Sequence, residues 1–139
     1  MTTPESIAAV RVLFEAELNQ TEQAQLYHKV DIARARNDDW QVKRFLLDND
    51  NDHQKAFAAL CAALQWKKAY GLHDLTEASF PLQWWQMVGS EMCGHDREGH
   101  LLNWSLLRRY IKFKNPAARR LSQKFLAFIN ERCDVAAGK

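Results

Sequence analysis

The sequence predicts a mostly α-helical protein in which a helical bundle is followed by a β-hairpin or strand and one further helix. Three observations carry this expectation. Apolar residues recur at helical spacing in stretches that run up to residue 71, the period drops to two over residues 101–107, and a proline-started helical stripe follows Asn115.

Residues 4–19 place Pro4 in a first-turn position and Ile7, Val10, Phe14 and Leu18 along one face. The stretch from Thr21 to Val30 reads as a polar connection or a short helix. Two helices follow. Asp38 is the expected N-cap of the second, with Val42, Phe45 and Leu46 as its inner face. Residues 53–70 carry Phe57, Leu60, Cys61 and Leu64 on one face and Ala59, Ala63, Trp66 and Tyr70 on the nearly opposite one. A helix apolar on both sides is expected between two layers. Lys67, Lys68 and Gly71 supply its basic last turn and left-handed stop.

After residue 71 come short turns, and then "LQWWQMV", which fits a short helix. Trp84 and Trp85 point about 100 degrees apart on a helix, so one of them is expected at an edge or a membrane interface. A turn centred on Asp96–Gly99 precedes a strand in which Leu102, Trp104 and Leu106 alternate with the residues between them. Asn115 caps the final helix, Pro116 starts it, and Ala118, Leu121, Phe125 and Phe128 form its stripe.

At 139 residues the chain is long enough for a real core, and 47% hydrophobic content with five Trp marks it as globular. There is no apolar leader in the first 25 residues and no run long enough for a membrane span, so the expected location is the cytoplasm or the cytosolic face of a membrane. Three scattered cysteines, Cys61, Cys93 and Cys133, make no disulfide framework.

Charge is unevenly placed. Residues 1–96 carry nine Lys/Arg against fourteen Asp/Glu, and residues 97–139 carry ten against three. Arg108, Arg109, Lys112, Lys114, Arg119, Arg120 and Lys124 hold most of the excess. They are the candidate contacts for an anionic surface; the plainer alternative is a solvated flank. Nucleic acid is the less favoured partner, since the patch lacks aromatic interleaving.

Reactive chemistry finds little support. Asp48, Asp50 and Asp52 open like a calcium loop, but its sixth position is His53 and its twelfth is Ala59, where glycine and a bidentate glutamate are needed. The expectation is a turn, with Asp52 capping the next helix. Cys93, His95 and His100 lack paired ligand spacing for zinc. No phosphate loop, nucleophile elbow or H-E-x-x-H is present, and Cys61 falls on a buried face, where thiols are inert. No catalytic residue, metal or cofactor is expected.

Several fragments occur in a familiar order: Asp38–Asp39–Trp40, Arg44–Phe45–Leu46, Asp52, Lys55–Ala56, Trp66–Lys67, Pro81, and a run from Gly94 through Asp96 and Gly99 to Trp104. This set resembles the N-terminal helical part of CRAL-TRIO lipid-binding proteins over about residues 5–135. Leu47, Asp48 and Asn49 depart from the family's basic residues, and His100–Leu101 replaces its Arg-Pro. The resemblance implies a helical segment over 1–89 and, over 90–139, the start of an incomplete α/β lipid-binding domain. It also implies a non-enzymatic role in lipid binding, transfer or membrane tethering, with most pocket residues beyond Lys139. The competing expectation is a pocket-less interaction module that dimerises or binds a protein through strand 101–107, using Leu102, Trp104 and Leu106.

Overall fold

The first helix, α1 (Pro4–Leu18), begins where the sequence places it. Thr3 caps it by accepting the Ser6 N–H at 3.2 Å, and Pro4 needs no partner for the N–H it lacks. In the computed structural model, which describes residues 2–87, 90–105 and 115–137, α2 (Thr21–Ala24), α3 (Lys29–Asn37) and α4 (Asp39–Asp48) follow. Asp38 caps α4 by accepting the Trp40 N–H at 3.0 Å.

Helix α5 (His53–Tyr70) is the longest of the first part and packs against both α1 and α4. Its ends are chemically defined. Asp52 Oδ1 accepts the N–H groups of Gln54 and Lys55, both at 3.0 Å. At the other end Gly71 adopts φ 71°, a left-handed conformation in which any side chain is disfavoured. Between them Ala56, Leu60 and Leu64 are fully buried against Val10 and Phe14 of α1 and Val42 and Leu46 of α4. Tyr27 closes this core edge-on to Phe14, with ring centroids 5.3 Å apart.

The second face of α5 departs from expectation. Trp66 is 51% exposed and stacks on Tyr70 at 4.8 Å, so no second layer covers it among the described residues. The reason is local: the two rings are one turn apart and shield each other, while Ala59 and Ala63 offer little area to bury.

The acidic segment after α4 is a turn, as its sequence indicates. Asp48 ends α4, Asp50 and Asn51 take positive φ of 52° and 62°, and Asp52 is the cap. Asn51 ties the turn down, donating its N–H to Leu46 O at 2.8 Å and its side-chain Nδ2 to Ser6 Oγ at 3.1 Å.

The chain divides into two compact units, Met1–His73 and Asp74–Ala137. The second unit holds a 3-10 turn at Glu77–Ser79, α6 (Leu82–Met87), strands β1 (Ser90–His95) and β2 (Leu101–Ser105), and α7 (Pro116–Ala137). The strands pair antiparallel, with Glu91 opposite Trp104 and Met92 opposite Asn103. The register shifts between Met92 and His95, where Gly94 has φ 97°. Asp96 builds the tip: its Oδ1 accepts Glu98 N–H and His100 N–H, both at 2.8 Å, while Gly99 supplies φ 89°. The fold is therefore mostly α with two short strands, and α7 continues to Ala137, further than the sequence stripe indicates.

Asp52 gives the fold a testable pH dependence. The Lys55 and Gln54 amides hold its carboxyl below the ordinary carboxylate range. Its stabilisation is therefore fully present above the unfolded value, about 3.9, and is lost as pH falls through the lower folded value. Urea midpoints measured from pH 7 downward should fall more steeply for the parent than for Asp52→Asn, whose amide keeps an acceptor but does not titrate. Parallel curves would remove Asp52 from the account.

Candidate anionic-surface site

Of the basic residues singled out in the sequence, Arg119, Arg120 and Lys124 are described; Arg108, Arg109, Lys112 and Lys114 lie outside the described residues, as does Leu106. Helix α7 positions the three. Asn115 Oδ1 accepts the Ala117 N–H at 2.8 Å, and Pro116 occupies the first helical position.

One side of α7 is locked by aromatic packing. Phe125 is buried, with its ring 5.0 Å from Phe80, 5.7 Å from Trp84 and 5.0 Å from Trp85; Phe128 lies 5.5 Å from Phe80 and 6.2 Å from Trp85. Both tryptophans thus meet Phe125, and both are half-buried, each with part of its surface on the aromatic packing and part on solvent. The rings of Phe80, Phe125 and Phe128 are broad enough to receive side chains that diverge by about 100 degrees on a helix. Arg132 completes this side, donating to Glu77 Oε1 at 2.6 Å with its guanidinium 5.7 Å from the Phe128 centroid.

The other side of α7 faces water. Arg119 and Arg120 are exposed and Lys124 is half-buried. They sit in the first turns of a helix that has no acid in its first turn. That is the reverse of what the helix dipole favours, since its N-terminus already carries partial positive charge. The start of α7 is a concentrated positive end, and its chemistry suits anions.

The proposed partner strand is brought into a hairpin. Along β2, Leu102 is 39% and Trp104 66% exposed, while the intervening Asn103 donates its Nδ2 to Cys133 Sγ of α7 at 3.9 Å. Leu102, Asn103 and Trp104 are all exposed, so these residues do not divide into a buried and a solvent-facing side. At the tip His100 Nδ1 lies 3.0 Å from Asp96 Oδ2.

Sequence reasoning missed two buried polar clusters in the first unit. Asp31 of α3 is fully buried, with Oδ2 at 2.7 Å from His73 Nε2 and Oδ1 at 3.9 Å from Lys67 Nζ. His73 also stacks on His28 at 4.5 Å. Asp31 occupies the first turn of α3, where an acid reads as a dipole partner, and Lys67 occupies the last turn of α5, where a base reads likewise. Those local explanations hid the tertiary pairing. The second cluster joins Tyr27, which donates to Glu17 Oε1 at 3.1 Å and accepts from Gln65 Nε2 at 2.9 Å. Burial raises the pKa of both the Tyr27 hydroxyl and the Cys61 thiol, so each keeps its proton at neutral pH. Cys61 is the packed thiol its helical face indicated.

No protein-family model matches the chain, and no solved structure matches it significantly. Among the described residues no helix is long and apolar enough to cross a membrane.

Two stability measurements test this geometry. Asp31→Ala leaves the largely buried Lys67 and His73 without their carboxylate, so urea unfolding should show a loss of about 3 kcal/mol or more; a change near zero would show that the cluster is dispensable. Phe125→Ala removes the shared aromatic centre of α6 and α7 and should cost about 3–5 kcal/mol. It should also weaken the near-UV tryptophan signal, and an unaltered spectrum would contradict the packing described.

Proposed function

We propose that this chain is the helical segment and first hairpin of a non-enzymatic, CRAL-TRIO-like protein of lipid binding, lipid transfer or membrane tethering, and that it meets anionic headgroups through the basic start of α7. The observation that carries the reading is the division of labour on α7. Its apolar stripe is occupied by Phe80, Trp84 and Trp85, and its Arg119–Arg120 flank is turned to solvent. Cations placed at a helix start cost stability, so a use for them outside the fold accounts for the arrangement. Lys112 and Lys114 add charge to the same stretch of sequence.

The family reading gains support from the parts the resembling residues play. Asp52 caps α5, Ala56 is fully buried, and Gly94 and Gly99 both take positive φ in the hairpin. Cap and positive-φ positions favour these residue types.

A second reading rests on the exposure of Leu102 and Trp104 on β2. A strand with two large apolar side chains facing solvent suits pairing with a protein strand, including that of a second copy.

Vesicle co-sedimentation separates the two. The lipid reading expects retention on phosphatidylcholine vesicles that contain phosphatidylserine, release as salt is raised, and several-fold weaker binding for Arg119→Glu/Arg120→Glu. Equal binding to neutral vesicles, or none to acidic ones, sinks the anionic contact. A salt-insensitive, lipid-free dimer in native mass spectrometry that Trp104→Ser dissociates favours the interaction module.

A further inference from the structure

Ser122 stands one turn inside the basic start of α7, and it is the one Ser or Thr of the chain with arginine at both the third and the second position before it: Arg119–Arg120–Leu121–Ser122. Its Oγ is committed only locally, donating to the Arg119 carbonyl at 2.7 Å in an exposed bond. Such a back-bond competes with the helix ladder and weakens the turn in which it sits.

We infer that Ser122 is a phosphate acceptor for a basic-directed serine/threonine kinase, and that the phosphate abolishes the anionic-surface contact of α7. The second half rests on the function proposed above; the first stands without it. In the transfer, the Ser122 Oγ attacks the γ-phosphorus of Mg-ATP, an O–P bond forms as the bond to ADP breaks, and the hydroxyl proton passes to the kinase's catalytic carboxylate. Two arginines on the N-terminal side of an acceptor are what an acidic substrate groove recognises by charge.

A serine inside a helix must leave it to enter such a groove, and the structure shows where opening is easiest. Phe125 is the first deeply buried residue of α7, clasped by Phe80, Trp84 and Trp85, and the turns before it lie outside that clasp. Arg119 and Arg120 lie there against the helix dipole, in a helix with no acid in its first turn. The stretch that has to open therefore precedes the aromatic clasp and carries cations against the helix dipole.

The consequence is electrostatic. A phosphoserine carries about two negative charges at neutral pH. Residues 116–124 hold Arg119, Arg120 and Lys124 and no acid, so the modification cancels most of their positive charge. Salt-screened attraction to acidic lipid then fails, as in other phosphate-released basic segments.

The test uses the full chain, Mg-ATP and the purified catalytic subunit of an Arg-Arg-x-Ser-directed kinase, with sites located by mass spectrometry. Phosphate should appear on Ser122, at least tenfold more slowly in Arg119→Ala or Arg120→Ala, whose circular dichroism reports whether the fold is kept. Hydrogen exchange should be faster at 117–122 than at 125–133. Label confined to other residues, or rates indifferent to both arginines, overturns the acceptor assignment. The phosphorylated chain should bind phosphatidylserine vesicles about tenfold or more weakly than the unmodified chain. Equal binding overturns the switch. An unmodified chain that ignores the vesicles overturns both the switch and the proposed lipid contact, and leaves Ser122 phosphorylation standing on its own.

Discussion

The constraint on which the first unit depends is the fixed length and rotation of α5. Asp52 sets where the helix begins by holding two amides, and Gly71 sets where it ends by turning left-handed. With both ends fixed, Ala56, Leu60 and Leu64 fall on one line, and that line is the one α1 and α4 cover. A shift of one residue would rotate the stripe by about 100 degrees and bring Trp66 inward. The left-handed Asp50–Asn51 turn serves the same end, because Asn51 pins it to Ser6 of α1 before the helix starts.

Asp31 does a related job at the other end of α5. A carboxylate with no solvent exposure is tolerated only with partners, and Lys67 and His73 come from the last turn of α5 and the turn after it. Lys68 of the same turn donates to the backbone carbonyls of Gln25 and Tyr27. The close of α5 is thus held to the segment that leads into α3 by polar contacts, where the middle of the helix is held by apolar ones. Replacing such a buried group by a well-packed apolar one is often harmless, whereas removing one partner is not; the arrangement specifies position more than it adds stability.

What was legible in the sequence is what depends on neighbours along the chain. The caps Asp38, Asp52 and Asn115, the prolines at Pro4 and Pro116, the Gly71 stop and the Asp96–Gly99 tip all follow from local chemistry, and each holds in the structure. The apolar stripes of α1 and α4 are equally periodic signals. What escaped are pairings across tens of residues, such as Asp31 with His73 and Tyr27 with Gln65, which no spacing rule encodes. The two-faced α5 misled for a different reason: periodicity says that Trp66 and Tyr70 share a face, but not whether a layer or only each other covers it. Of the candidate surface residues, exposure of Arg119 and Arg120 was readable from the stripe on the opposite side of α7, while the exposure of Leu102 and Trp104 on β2 was not, because period-two alternation does not say whether either face is covered.

The balance within α7 shows why a helix so charged persists. Unfavourable dipole interactions at an exposed helix start amount to a few tenths of a kcal/mol per cation, up to about 1. Burial of a phenylalanine such as Phe125 is worth about 3–5 kcal/mol by truncation, and Phe128 and the Arg132–Glu77 pair act on the same side. Packing therefore wins for the helix as a whole, and its largest contribution enters at Phe125. The first turns take the cost of Arg119 and Arg120, with the Asn115 cap and half-buried Leu121 among the features that favour the helix there. An aromatic-packed body with a positive leading end is the physical result, because the dipole cost of the cations is several-fold smaller than the packing gain behind them.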